Sequence, residues 1–335
     1  MPQTPFAPTT TENGGAGTSN AALAFLYEHP RWFAPIFAEL TSRRVPYATI
    51  YAPEHFYAID NDVPQFKLLF NRMSPSADRR QHGSSIFHTL AYLGHLELLG
   101  VRVLNGSRAF QYDISKALQL SLLKSIGVSY PRSRVIHDAH HAVAAAEGLR
   151  YPIVVKPNIG GSGAGIVRFD TPRELEEAAH SGKLHLGFDH MGQVQEFIPA
   201  RGGYITRVET LGGKFLYAIR VHLSGQTFDL CPADFCQTGN CGSPGDGSSA
   251  QPLKTGLKVE SCVPPPEAIA IAEHIVTSAG IDVGGIEYVV DDRDGQTYVY
   301  DVNALSNFVA DAPNVIGFNP FVNLADYLEE EIARL

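Results

Sequence analysis

Residues 152–166 read Pro-Ile-Val-Val-Lys-Pro-Asn-Ile-Gly-Gly-Ser-Gly-Ala-Gly-Ile. The Val/Ile run over 151–157 predicts a strand. Glycines 160, 161, 163 and 165 predict a turn, and a second strand follows at once over 166–169. The segment is therefore a β-hairpin with a glycine-rich tip. Lys156, at the end of an apolar strand, needs an anionic partner. The glycine-rich turn beside it lets backbone N–H groups approach an anion closely. Together they point to a polyphosphate. No Gly-Lys-Ser/Thr follows the glycines, so this is not a Walker A loop, and the glycines lead into a strand rather than a helix, unlike a dinucleotide fingerprint. Taken alone, the segment is also compatible with a tight hairpin carrying an incidental lysine.

Working outward, 115–126 is an amphipathic helix that stops at Gly127, a C′ signal. Residues 171–181 form a helix with Thr171 as N-cap and Pro172 at N1. A strand follows over 193–198, then a hairpin of 206–211 and 214–223 around Gly212 and Gly213. Residues 236–262 read as a long loop and 265–279 as a helix. A second hairpin pairs 285–290 with 298–303, and an acidic amphipathic helix spans 320–335. On the N-terminal side, strands over 21–27, 47–51, 66–73 and 101–105 alternate with helices over 31–44 and 85–99. That rhythm predicts a small parallel α/β sheet. Residues 1–20, rich in Pro, Thr and Gly, read as a disordered lead-in with no basic or apolar signal region. The expected divisions are 1–20, 21–106, 107–192 and 193–335.

Within the last hairpin, period-2 alternation puts Asp301 and Asn303 on one face. A register that sets Glu287 beside them assembles two carboxylates and one amide oxygen, the donors a hard divalent cation such as Mg²⁺ prefers. The competing reading is a solvated acidic hairpin face. Against it, Asp301 and Asn303 sit in an apolar strand, where unpartnered polar groups are costly.

Composition bounds the function. Lys plus Arg number 26 and Asp plus Glu 35, a net charge of −9, with no basic run, so nucleic acid is not the expected partner. No apolar stretch reaches membrane-spanning length. The apolar fraction is 44% and the charged fraction 18%, which excludes a disordered, collagen-like or coiled-coil chain. With no export signal, the cytoplasm is the expected compartment. Cys231, Cys236 and Cys241 recur every five residues, not at zinc-ligand spacing, and with Cys262 they read as free thiols. His88 and His95 share a helix face and read as structural.

Five blocks in order resemble the ATP-grasp superfamily, and within it the RimK-type carboxylate–amine ligases. Ser115-Lys116 matches the family's DK dipeptide at the lysine, and Gly127-Val-Ser-Tyr-Pro131 looks like its GIPxP. The stretch 152–166 resembles its lysine strand and flexible glycine loop. Gln195-Glu196-Phe197-Ile198 matches the adenine hinge QEFI, and Glu287, Asp301 and Asn303 match its magnesium pattern, continued as Asn303-Ala-Leu-Ser306-Asn307. The resemblance covers roughly 100–310. It implies an α+β ATP-grasp fold, two α/β lobes sandwiching ATP, preceded by an α/β domain.

The resemblance also implies roles. Lys116 and Lys156 would grip the α- and β-phosphates, and Gly161, Ser162, Gly163 and Gly165 would cover the β- and γ-phosphates. Gln195, Glu196, Phe197 and Ile198 would read adenine. Glu287, Asp301 and Asn303 would hold two Mg²⁺, with Mn²⁺ able to substitute. Arg220 would stabilise the acyl phosphate and tetrahedral intermediate, with Arg207 a second candidate. The expected reaction joins a small-molecule carboxylate to an amine through an acyl phosphate, giving an amide, ADP and phosphate. Enzymes of this kind are commonly dimers or tetramers, so a homo-oligomer is compatible. Alternatives are a kinase acting on a hydroxyl with the same scaffold and a non-catalytic ATP-binding regulator.

Departures lie on the acceptor side. Where the family carries GADIR, this chain has Gly203-Tyr204-Ile205-Thr206-Arg207, with neutral Tyr204 where an acid is expected. The family's arginine- and glycine-containing stretch after Arg220 is replaced by a cysteine-bearing loop, so the substrate is expected to differ from the family's usual one. Substrate candidates are Tyr204, Ser306, Asn307 and, at a strand end of the N-terminal sheet, Arg72 and Ser74, where an arginine can take a carboxylate.

Overall fold

Leu23, Ala24, Phe25 and Leu26 are all fully buried, the mark of a strand covered on both faces. They belong to β1 (Leu23–Tyr27), which joins β2 (Tyr47–Tyr51), β3 (Leu68–Arg72) and β4 (Arg102–Leu104) in a parallel sheet of order β2-β1-β3-β4. The parallel sheet agrees with the sequence reading. The structure is a computed structural model, and it describes residues 21–60, 63–161, 163–223 and 257–335. Among these no helix is long and apolar enough to cross a membrane.

The chain divides into two compact units, Met1–Phe110 with Phe321–Leu335, and Gln111–Pro320. The terminal helix Pro320–Ala333, placed by the linear reading at the end of the last lobe, belongs with the first unit. Arg43 is the reason. Its Nη1 donates to Asp326 at 2.6 Å and to Glu329 at 2.7 Å, and Arg102 Nε reaches Glu331 at 3.1 Å. The helix expected over 31–44 is a 3-10 turn, Pro30–Phe33, followed by Ala34–Ser42.

The second unit holds two antiparallel sheets. The first is β5 (Ser133–Ile136), β6 (Ile153–Pro157), β7 (Val167–Phe169) and β8 (Gly192–Glu196), in the order β5-β8-β6-β7. One face packs Val155 and Val194 against Leu175, Ala179 and Ala142 in a continuous core. Each large apolar side chain so buried contributes about 1.5–3 kcal/mol. The helix Pro172–His180 that covers this face starts as expected, with Thr171 Oγ1 accepting from Glu174 N. A boundary at 192/193 would cut β8, whose residues pair with β5 and β6 in this sheet.

The second sheet is β9 (Tyr204–Leu211), β10 (Lys214–His222), β11 (Val259–Cys262), β12 (Val283–Val290) and β13 (Thr297–Asn303), in the order β11-β10-β9-β12-β13. β11 corrects the reading of 236–262 as loop throughout, because Val259–Cys262 completes the sheet edge beside Ala218–Val221. Residues 224–256, with Cys231, Cys236 and Cys241, lie outside the described residues. Cys262 is a free, half-buried thiol.

Candidate functional site

The two sheets of the second unit enclose a cavity of about 470 Å³. Its lining brings together Lys116, Lys156, Gly161, Gly163, Gln195, Glu196, Phe197, Ile198, Arg207, Glu287, Asp301 and Asn303. Ser162 lies outside the described residues. Residues as far apart in the sequence as Lys116 and Asn303 thus converge on one space.

Lys156, the penultimate residue of β6, is almost fully buried. β6 and β7 form the predicted hairpin, in the register Ile153↔Phe169 to Val155↔Val167. At its tip Gly165 has φ +75°, and a Cβ there would meet Pro157 Cγ at 2.8 Å, so only glycine fits. Lys116 opens the helix Lys116–Ser125 one residue after the N-cap Ser115. Asn158, which sequence reading passed over, ties that helix to β6. Its Oδ1 accepts from Ala117 N at 3.0 Å, its carbonyl accepts from Lys116 N at 3.3 Å, and its Nδ2 donates to Asp189 at 2.8 Å. The only sequence signal was its place two residues past the strand lysine.

Electrostatics separates the two lysines. Burial alone would pull Lys116 down, but Asp301, whose Oδ1 accepts from Nζ at 2.8 Å, raises it above its ordinary value. Lys156 is pulled down to about 8, first by burial and then by the neighbouring Lys116 charge. A buried ammonium pair facing a cavity is poised for a polyanion. One consequence is measurable. A bound polyphosphate favours the protonated Lys156, and the free protein loses that proton as pH rises through about 8. ADP affinity in metal-free buffer should therefore fall above pH 8, approaching about tenfold per pH unit, and Lys156→Met should flatten the profile; calorimetric titration from pH 7 to 9.5 reads it.

The acidic wall is set by strand register. β12 lies between β9 and β13, with rows Arg207↔Glu287↔Asp301 and Glu209↔Gly285↔Asn303 on neighbouring strands. The expected pairing of Glu287 with Asp301 is therefore present. Burial pushes Glu287 up, opposed by Arg207 and reinforced by Asp301. Burial also acts to raise Asp301, but Lys116 and Lys156 hold it below its ordinary value. Asn303 Nδ2 donates to Gly285 O at 3.3 Å, which turns its carbonyl oxygen the other way. Two carboxylates and an amide oxygen fit a hard divalent cation that takes its remaining ligands from phosphate and water.

Arg207 is a different group from the one the sequence suggested. Its Nε donates to Glu209 Oε1 at 2.6 Å, Nη1 to Glu287 Oε1 at 2.8 Å and Nη2 to Ser306 Oγ at 3.0 Å. The whole fork is engaged with the protein, so Arg207 organises Glu287 rather than reaching for a substrate. Gly285 makes room for it, since a Cβ there would meet Nη2 at 2.7 Å. Ser306 is likewise committed to Arg207 and to Phe308 N at 3.2 Å, and is buried.

At the hinge, Gln195 Nε2 donates to Ser133 Oγ at 2.8 Å on the cavity side. Glu196 falls one residue on, so alternation sends its side chain to the face where Val194 is buried. There its Oε1 accepts from Arg150 N at 2.9 Å and Arg132 Nη1 at 3.3 Å. The Glu196 carboxylate is therefore held by Arg150 and Arg132. Phe197 N donates to Pro152 O at 2.9 Å. Arg168, another lining residue the sequence reading missed, stands 4.6 Å from the Phe197 ring centroid.

Arg220, on β10 opposite Thr206, stacks over Tyr204 at 4.6 Å. Neither is among the cavity-lining residues. In the first unit, the Arg72 guanidinium lies over Phe33 and Phe70 at 5.1 and 5.2 Å, and Ser74 Oγ bonds Ser76 Oγ at 2.8 Å. His88 and His95 both pack on Tyr57, and His88 Nε2 lies 3.2 Å from His55 Nδ1.

A family model described as the carbamoyl-phosphate synthase L chain ATP-binding domain matches residues 115–194, the helix, lysine strand, glycine turn and β8 described above. The RimK-domain ATP-grasp structure from Sphaerobacter thermophilus superimposes with a TM-score of 0.60 over 91% of this chain and 99% of its own, at 16% identity. The chain has an ATP-grasp fold. Two further solved structures superimpose at 16% identity: the ATP-grasp ligase PsnB with a minimal precursor, TM-score 0.64 over 93% of this chain and 100% of its own, and the D-cycloserine synthetase DcsG, 0.63 over 92% and 99%. Among curated relatives, a probable alpha-L-glutamate ligase of Thioalkalivibrio sulfidiphilus is 32% identical over 142 residues, 41% of this chain. The carbamoyl phosphate synthase large chain of Archaeoglobus fulgidus is 27% identical over 244 residues, 70% of this chain. The chain spans 46% and 21% of the length of those two relatives.

Proposed function

We propose that this protein is an ATP-grasp ligase that uses ATP and Mg²⁺ to join a carboxylate to an amine. The observation that carries the reading is the convergence of Lys116, Lys156, Glu287, Asp301 and Asn303 on one cavity. The glutamate-ligase relative and the PsnB and DcsG likenesses support it. In this reading Lys116 and Lys156 hold the nucleotide phosphates, and the backbone of Gly161, Gly163 and Gly165 covers them. Phe197, Ile198 and the Glu196 backbone flank the base. Glu287, Asp301 and Asn303 hold Mg²⁺, which when bound neutralises developing phosphate charge.

A substrate carboxylate oxygen attacks the γ-phosphorus as the bond to ADP breaks. The amine nitrogen then attacks the acyl carbon, the carbon–oxygen bond to phosphate breaks, and the amine loses a proton. The chain's part is positioning and charge stabilisation. Arg220, braced by Tyr204, is the candidate for the developing oxyanion, and Asn307 is a candidate for holding substrate. The precursor peptide in the PsnB complexes and the glutamate ligase name of the curated relative support reading the carboxylate or the amine as part of an amino acid or a peptide.

Phosphate release from Mg-ATP is measured against pooled amino acids, small carboxylates and peptides, with and without added amines. The reading expects release that needs both a carboxylate and an amine, with a condensed product by mass spectrometry. A stable phosphorylated product formed without an amine would overturn it in favour of a kinase.

A further inference from the structure

The alternation that puts Asp301 and Asn303 on one face of β13 puts Tyr300 on the other. The structure breaks that alternation. Register runs Glu287↔Asp301 and then Tyr288↔Val299, so Tyr300 is the extra residue of a β-bulge. Bulges re-aim side chains beside functional sites. Here the bulge lets Tyr300 line the cavity together with Asp301. The Tyr300 hydroxyl donates to Glu287 Oε2 at 2.7 Å, while Oε1 accepts from Arg207 Nη1 at 2.8 Å. Left to Arg207 alone, Glu287 would favour a bidentate fork pairing, with both oxygens drawn onto the guanidinium. The hydroxyl holds the second oxygen out of that pairing and fixes the carboxylate plane.

We propose that Tyr300 is a positioning residue that presents Glu287 to a divalent cation, a role made available by the bulge in β13. The inference rests on reading the cavity as a metal–nucleotide site. Partners that orient a metal ligand by hydrogen bonding set its affinity without touching the metal.

Tyr300→Phe keeps the ring and its packing and deletes the hydroxyl. Mn²⁺ binding to the ADP complex is followed by electron paramagnetic resonance, and ADP binding in metal-free buffer by calorimetry, on the full chain. The expected result is Mn²⁺ bound about tenfold more weakly by the variant, with metal-free ADP affinity within about twofold of wild type. Equal Mn²⁺ affinity in wild type and variant would overturn the role of Tyr300 while leaving the site reading intact. An equal loss of metal-free ADP affinity would overturn it as well, by assigning Tyr300 to the base or the fold. No Mn²⁺ binding by the wild-type ADP complex would overturn the site reading itself.

Discussion

Asp301→Asn is expected to abolish most ATP-dependent turnover while preserving nucleotide binding. The substitution keeps the shape and a hydrogen-bond acceptor for Lys116 Nζ, now at 2.8 Å from Asp301 Oδ1. It removes the negative charge that a divalent cation requires from this wall. Losing one preorganised electrostatic partner of a transition state typically costs about 10²–10³ in turnover, and the drop here should reach at least that size. Metal-free ADP should bind the variant as tightly as wild type or more tightly, because a carboxylate that repels phosphate has gone and Lys116 is released toward the ligand. The enhancement of nucleotide binding by Mg²⁺ should disappear. Calorimetric titrations with ADP, with and without Mg²⁺, beside steady-state phosphate release, test this. Undiminished Mg²⁺ enhancement in the variant would remove Asp301 from the metal wall.

Arg207→Met should act on stability first. The guanidinium is the charge partner of two acids, Glu209 with a fully buried side chain and Glu287 at 11% side-chain exposure. Deleting it leaves two buried carboxylates without their cation. Breaking such a pair from one side costs about 3–5 kcal/mol. For a chain of this size that corresponds to a fall of roughly 10 °C in Tm. Arg207→Lys should recover little, since one ammonium cannot serve Glu209, Glu287 and Ser306 with the geometry of a planar fork. Arg207→Met combined with Glu209→Gln should recover part of the loss, because one uncompensated charge goes with the partner. Thermal unfolding followed by circular dichroism measures all three. If Arg207 acted on substrate instead, Tm would hold and only the KM for the carboxylate would rise.

The parts of the site that were legible in sequence are those fixed by local chemistry. Lys156 at a strand end beside four glycines and the paired residues Asp301 and Asn303 in an apolar strand are statements about neighbours in the chain. Lys116 followed from a helix start and the family resemblance. What was misread depends on partners remote in sequence. Arg207 looked like an anion-binding arginine because nothing local reveals Glu209 and Ser306 closing on its fork. Glu196 looked like a base-reading group because the hinge block names residue types, and the face each occupies is settled by pairing with β6. The edge strand Val259–Cys262 hid in a Gly-, Ser- and Cys-rich stretch, since its strand character comes from pairing with β10.

Local sequence was enough for most of the strands and helices, the glycine hairpin and the residue types gathered for a polyphosphate and a hard cation, because propensity, periodicity and turn chemistry act within a few residues. Only the tertiary structure decided that β8 joins the lysine sheet and that the terminal helix returns to the first unit through Arg43. It alone decided that a one-residue bulge delivers Tyr300 to Glu287. Register, bulges and ion pairs between distant elements are chosen by the packing and hydrogen-bond satisfaction of the whole unit, and no window of the chain contains that information.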